Sequence, residues 1–100
     1  TLPAPIAGSM FRFVYAGGAA DATDAIIVTP GNTNFYIGGI TFLDTDGNAI
    51  SSVFSNGSSN SSIQFNVPAG FDVTIMGINT TNYQIFGNAT STTAPAFADQ

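Results

Sequence analysis

Asp44-Thr45-Asp46-Gly47-Asn48 is the stretch of this sequence whose residue types and spacing come nearest to chemistry. Alternating carboxylate and amide oxygens of this kind can wrap a calcium ion. A calcium loop that starts this way needs its glycine at the sixth place and an acid at the twelfth. Here the glycine comes two places early and the twelfth residue is Ser55. The stretch reads instead as a hairpin turn capped by its aspartate side chains, and no metal site is assigned.

Nucleophilic chemistry fares no better. Serines are plentiful, but the chain has no histidine and no cysteine, and its one basic side chain is Arg12. A serine therefore has no imidazole or lysine to take its proton, and disulfides and thiol chemistry are excluded. No two carboxylates stand at a spacing that suggests acid–base work. Asp72 lies out of phase with Phe71, Val73 and Ile75, so it points to solvent. Asn-x-Ser/Thr triplets begin at Asn56, Asn60, Asn79 and Asn88. They read as by-products of a chain rich in Asn, Ser and Thr. No catalytic, cofactor-binding or metal-ligating residue is assigned, and the chain is read as a non-enzyme.

Charge narrows the partners. One base against six acids gives a net charge of -5. A single arginine does not neutralise a run of phosphates, which argues against nucleic acid, and the same deficit argues against an anionic membrane surface. No apolar run approaches the roughly 20 residues of a spanning helix. The opening TLPAPIAGS lacks the basic and apolar regions of a signal peptide, and is read as a mature start from which an initiator Met was removed.

The elements behind these residues are strands. Phe35-Tyr36-Ile37 and Ile40-Thr41-Phe42-Leu43 are rich in β-branched and aromatic residues. Gly38-Gly39 between them suggests a bulge or bend. Ile50, Ser52 and Phe54 share one face of the next strand, and Ser51, Val53 and Ser55 the other. Ile63, Phe65 and Val67 alternate towards a core, as do Phe71, Val73 and Ile75. Asp-Gly, Asn-Gly and Pro-Ala-Gly steps separate these runs as turns. Residues 10–15 form a first strand, with Phe11, Phe13 and Tyr15 on one face and Met10, Arg12 and Val14 on the other. Residues 16–24 read as a loop of small residues. The continuous apolar run at residues 25–29 suggests a strand buried on both faces, and residues 83–87 form the last strand.

Two tails flank this ladder. Pro3 and Pro5 hold residues 1–9 extended, and carry the apolar Leu2 and Ile6 on a segment not expected to reach its own core. The arm is either a frayed terminus or a strap on a neighbouring subunit. Residues 88–100 form a second tail, disordered or docked, with Pro95 and Phe97 as its notable features. Phe97 favours docking on a partner. Arg12 is either an edge-strand charge paired with a nearby Asp or a subunit contact. The candidate interface residues are thus Leu2, Pro3, Pro5, Ile6, Arg12, Pro95 and Phe97.

Low charge with abundant Ser, Thr, Asn and Gly is the composition of virion and secreted β-proteins more than of cytosolic enzymes. The aromatic strand FRFVY, the ITFLDTDGNAI hairpin, the SNGSSNSSIQFNVPAG turn–strand–turn and the closing TAPAFADQ resemble small structural proteins of tailed bacteriophages, notably cyanophages. The resemblance covers most of the chain. It implies a capsid decoration, or cement, protein, a small β-domain that is often a trimer. Such a protein binds the outer surface of the head at junctions between major capsid subunits and holds it against the pressure of packaged DNA. No catalytic residue comes with it. The alternative is a head-fibre, knob or tail-fibre domain that recognises a host surface glycan through the loops 44–48 and 56–62, though no exposed aromatic is placed at those tips.

The expected fold is all-β, a compact antiparallel β-sandwich or small β-barrel of seven or eight strands, with extended N- and C-terminal arms. The expected division is an arm at residues 1–9, a β-domain at 10–87 and a tail at 88–100. Residues 10–15 and 83–87 are the expected edge strands. On this reading, loss of residues 1–9 leaves the β-domain folded and weakens capsid binding.

Overall fold

Alternation of large apolar and small polar residues builds a two-layer sandwich. The computed structural model describes residues 1–17 and 23–100. Within them the strands are β1 (Met10–Tyr15), β2 (Ala25–Val28), β3 (Phe35–Asp44), β4 (Ala49–Phe54), β5 (Ser62–Phe65), β6 (Gly70–Gly77), β7 (Asn82–Ser91) and β8 (Ala96–Ala98). Five of them pair in the order β1-β6-β7-β3-β4, and three in the order β2-β5-β8. The two sheets pack face to face and do not close into a barrel. The loop expected over residues 16–24 includes residues 18–22, which lie outside the described residues.

The core is the shared inner face. Register places Phe11, Ile75 and Ile85 in one row, and Gly77 beside Tyr83 beside Tyr36 in the next. Ile63 and Phe65 come from the smaller sheet to meet them, and with Tyr36, Val73, Ile75, Tyr83 and Ile85 they are fully buried. Both buried phenols are satisfied. Tyr36 donates to Ile27 O at 3.0 Å and Tyr83 to Pro3 O at 2.6 Å. Burial, with the neighbouring Tyr83 adding to it, pushes the Tyr36 phenol above its ordinary value, and burial pushes Tyr83 up as well. A raised phenol keeps its proton in the folded state after the unfolded chain has lost it. Their contribution to stability is therefore complete below about pH 10, the ordinary phenol pKa, and falls as the pH rises beyond it. In an alkaline titration, the tyrosinate absorbance of Tyr36 and Tyr83 is expected to appear together with loss of the β-strand circular dichroism. Its appearance in a chain that stays folded would contradict this.

Several expectations need correction. The sheet is not wholly antiparallel, because β3 and β7 run parallel. The strand expected at residues 83–87 is neither the last nor an edge: β8 follows it, and β7 lies between β6 and β3 and continues to Ser91, since Ala89 and Ser91 extend the inward rhythm of Tyr83 and Ile85. The run at residues 25–29 is not buried on both faces. As an outer strand of the smaller sheet, β2 alternates, with Ile27 inward and Ile26 57% exposed. Val67 does not continue its strand. β5 stops at Phe65, and Val67 sits in the following turn at φ 43, its N–H donating to Asp24 Oδ1.

Both tails fold onto their own domain. Leu2 is 4% exposed and its N–H donates to Val28 O at 2.8 Å. Pro5 is buried, and the segment closes onto β6 through Gly8 N–H to Gly77 O and Gly77 N–H to Ser9 O. It thus runs from the small sheet to the large one and supplies the acceptor for Tyr83. At the other end β8 pairs with β5, and the Gln100 amide reaches Thr29 and Ser61 O. Removal of residues 1–9 is therefore expected to destabilise the domain itself. Leu2→Ala alone should cost about 2–5 kcal/mol, as for other buried leucines, and the deletion should cost at least as much. Urea unfolding curves test this, and an unchanged midpoint for the deletion would show that the strap contributes nothing.

Candidate functional site

The outer face of the five-stranded sheet is where this fold leaves chemistry in reach of a partner. Successive strand residues point to opposite faces, so the core-facing set fixes the outward one: Met10, Arg12 and Val14 on β1, Asp72 and Thr74 on β6, Phe86 and Asn88 on β7, Gly39 and Thr41 on β3, and Ser52 and Phe54 on β4.

Arg12 is engaged within the chain. Its Nε donates to Asp72 Oδ1 at 2.9 Å and its Nη2 to Oδ2 at 2.6 Å, a bidentate pair on the exposed face. The hydrogen bond from Arg12, aided by its charge, holds the Asp72 carboxyl below its ordinary value. A depressed carboxyl stabilises the fold above its unfolded pKa, and that contribution is lost as the pH falls through the folded one. Solvent screens a pair this exposed, so its effect is small. The alternative of an edge charge meeting a nearby Asp describes this geometry.

The other expected interface residues fall in three places. Leu2 and Pro5 are buried in their own domain, and Pro3 gives its carbonyl to Tyr83. Pro95 is buried, and Phe97 packs edge-on against Tyr36 with centroids 6.0 Å apart. Ile6 projects outward, at 67% exposure, and the Pro3 ring is exposed as well. Phe97 favours a docked tail over a disordered one, and the ring it meets is Tyr36 of its own core.

The Asp44 turn is as the sequence suggested. Asp44 Oδ1 accepts from the N–H groups of Asp46 and Gly47. Among the described residues no cluster of three metal-ligating side chains occurs. Asn56 and Asn79, at the heads of two glycosylation-like triplets, shape their own turns. Asn56 Oδ1 accepts from Ser58, Ser59 and Asn60, and Asn79 Oδ1 from Thr81 and Asn82.

The bulge or bend expected at Gly38-Gly39 is a break in the middle of the outer face, and the depression beside it was not foreseen. The β3–β7 register passes from Gly38↔Ile85 to Thr41↔Asn88 with no paired residues between. Gly39 lies in the gap, and a Cβ there would stand 2.3 Å from Val53 O. Gly87 lies across from it, at φ +138. The result is an open depression of about 540 Å³. Phe86 borders it from β7 and Phe54 from β4, at 47% and 73% exposure. Thr41 and Ser52, which are register partners, are among its lining residues, and among the described residues no charged one lines it. No family model, curated protein or solved structure matches this chain. The signal for the depression was in the sequence: Phe54 shares a face with Ser52, opposite the core-facing Val53, and Phe86 follows the core-facing Ile85.

Proposed function

We propose that the chain is a structural virion protein, a capsid decoration protein that binds the major capsid protein on the outer surface of a tailed-bacteriophage head and acts there as an oligomer, with a trimer favoured. The observation that carries this reading is the outer position of β1 among the described strands. β1 is an outer strand of the five-stranded sheet, and it carries exposed Met10 and Val14 on either side of Arg12. Exposed Ile6 and Ile78 stand at its Met10 end, because Ile6 O lies against Gly77 and Met10 pairs with Met76. An outer strand that carries exposed apolar side chains is a template for another chain. The sequence resemblance supplies the identity of that chain. Attachment of this kind relies on strand addition and apolar contact, which suits a protein with one cation.

The test is occupancy. Purified protein is mixed with phage heads that lack it and imaged by cryo-electron microscopy. Symmetric density at threefold and quasi-threefold positions is expected, and a Met10→Ser, Val14→Ser variant should lose most of it while keeping its strand circular dichroism. Density confined to a vertex or the tail would replace this reading with a fibre domain. No density would remove it.

A further inference from the structure

We infer that Asn56-Gly57 is a latent deamidation site that the loop between β4 and β5 holds closed, so that Asn56 loses ammonia only when this loop opens. The inference is independent of capsid attachment, because the loop follows β4, at the opposite edge of the sheet from β1.

The chemistry is set by the sequence. Asn56 is the one asparagine of the chain that glycine follows. The backbone nitrogen of the next residue can attack the side-chain amide carbon, and glycine, with no Cβ, hinders that attack least. Gly57 N gives up its proton and bonds to Asn56 Cγ, the Cγ–Nδ2 bond breaks, and ammonia leaves with that proton. Water then opens the resulting succinimide at either carbonyl. One product is an aspartate in the ordinary backbone. The other is an isoaspartate, with a longer backbone and a shorter side chain.

The fold opposes ring closure at both reacting atoms. Gly57 N–H donates to Ser55 Oγ at 3.0 Å, so the nucleophile is engaged as a donor. Ser55 is itself fixed, its N–H on Gly38 O and its hydroxyl on Tyr36 O. Asn56 Oδ1 accepts from the N–H groups of Ser58, Ser59 and Asn60, and Asn56 Nδ2 donates to Ser59 Oγ at 2.7 Å. Both arms of the amide are thus held by residues 58–60, and turning its carbon onto Gly57 N gives up these bonds. The Asn56 N–H donates in turn to Asn60 Oδ1 at 2.8 Å. The donors on Oδ1 also polarise the carbonyl, which by itself favours attack. The withheld geometry outweighs this, because ring closure needs the two atoms aligned and in contact. The aspartate product keeps the loop, since its carboxylate accepts the same N–H groups more strongly. The isoaspartate, with its shorter reach, does not.

The experiment incubates the whole chain in mildly alkaline buffer, with and without denaturing guanidinium chloride. The Asn56 peptide is followed by mass spectrometry, and isoaspartyl methyltransferase counts the isoaspartate. Deamidation at Asn56 is expected to run at least about tenfold slower in the folded chain than in the denatured one, since only the opened fraction reacts. Ser55→Ala, which frees Gly57 N–H, and Ser59→Ala, which frees Asn56 Nδ2, should each raise the folded rate about fivefold. Both should leave the denatured rate unchanged. If loss of the Tyr36 contact unfolds the first variant, Ser59→Ala decides. Equal rates in folded and denatured chains overturn the inference. So does a faster rate in the folded chain, which would mean that the polarised carbonyl wins. Unchanged folded rates in the variants overturn it too.

Discussion

Phe65→Ala is expected to bring the domain close to unfolding at room temperature. Phe65 is 1% exposed and stacks on Phe71 with centroids 4.3 Å apart and planes 11° apart. It belongs to β5 of the small sheet and Phe71 to β6 of the large one, so the pair joins the two layers. Truncation of a buried phenylalanine costs about 3–5 kcal/mol, and a well-placed aromatic pair adds roughly 0.5–1.5 kcal/mol beyond its buried area. Against a total of about 5–15 kcal/mol for a domain of this kind, little margin is left. Thermal unfolding should show a midpoint lowered by roughly 15–30 °C, or no transition at all. A double-mutant cycle with Phe65→Leu and Phe71→Leu separates the stack from the cavity. A coupling energy near zero would show that the rings contribute volume only.

Gly87→Ala should be nearly as damaging for a different reason. Gly87 pairs with Val73 at φ +138, a conformation that costs an alanine about 1–3 kcal/mol. The new Cβ would also stand 2.1 Å from Asp72 O, a backbone atom of the adjacent strand that is held in the ladder. Forcing strands apart in a packed sheet adds a further 1–3 kcal/mol or so. The expected total is about 2–6 kcal/mol, read from urea unfolding. Gly31→Ala is the control. It has no atom within 4 Å of its added Cβ, so its unfolding midpoint should stay near the parent. Equal effects at the two positions would mean that loss of glycine, and not the close approach at Asp72, sets the cost.

Much of the sandwich was legible because its strands carry their address in a two-residue rhythm. Ile63-Gln64-Phe65 and Phe71-Asp72-Val73-Thr74-Ile75 admit one inward face each, and the structure uses it. The turns were legible for a local reason also: Asp44 and Asn56 satisfy backbone groups only two to four residues away. Partners distant in sequence were not legible. Nothing near Leu2 announces that Val28 will accept its N–H, or that Tyr83 will need the carbonyl of Pro3. Phe97 likewise looked like a ring in search of another molecule until Tyr36 was placed beside it. The candidate site was missed for a related reason. Each of its phenylalanines reads as an ordinary strand residue, and the depression they border exists only when β7 lies next to β3.

That parallel neighbour relation also governs how the chain must fold. β3 with β4, and β6 with β7, are joined by short turns and can pair as local hairpins. The β3–β7 seam that unites them joins segments separated by the whole of β4, β5 and β6. Closing so long a loop before its contacts repay the entropy is slow, and domains dominated by such pairings fold on the order of milliseconds to seconds. Until the seam forms, each hairpin carries an open edge at β3 or β7 that can pair with the wrong chain. Refolding is therefore expected to show two early hairpins and one late, concentration-sensitive docking step, with the Phe35 amide, which donates to Thr81 O, protected only in that step.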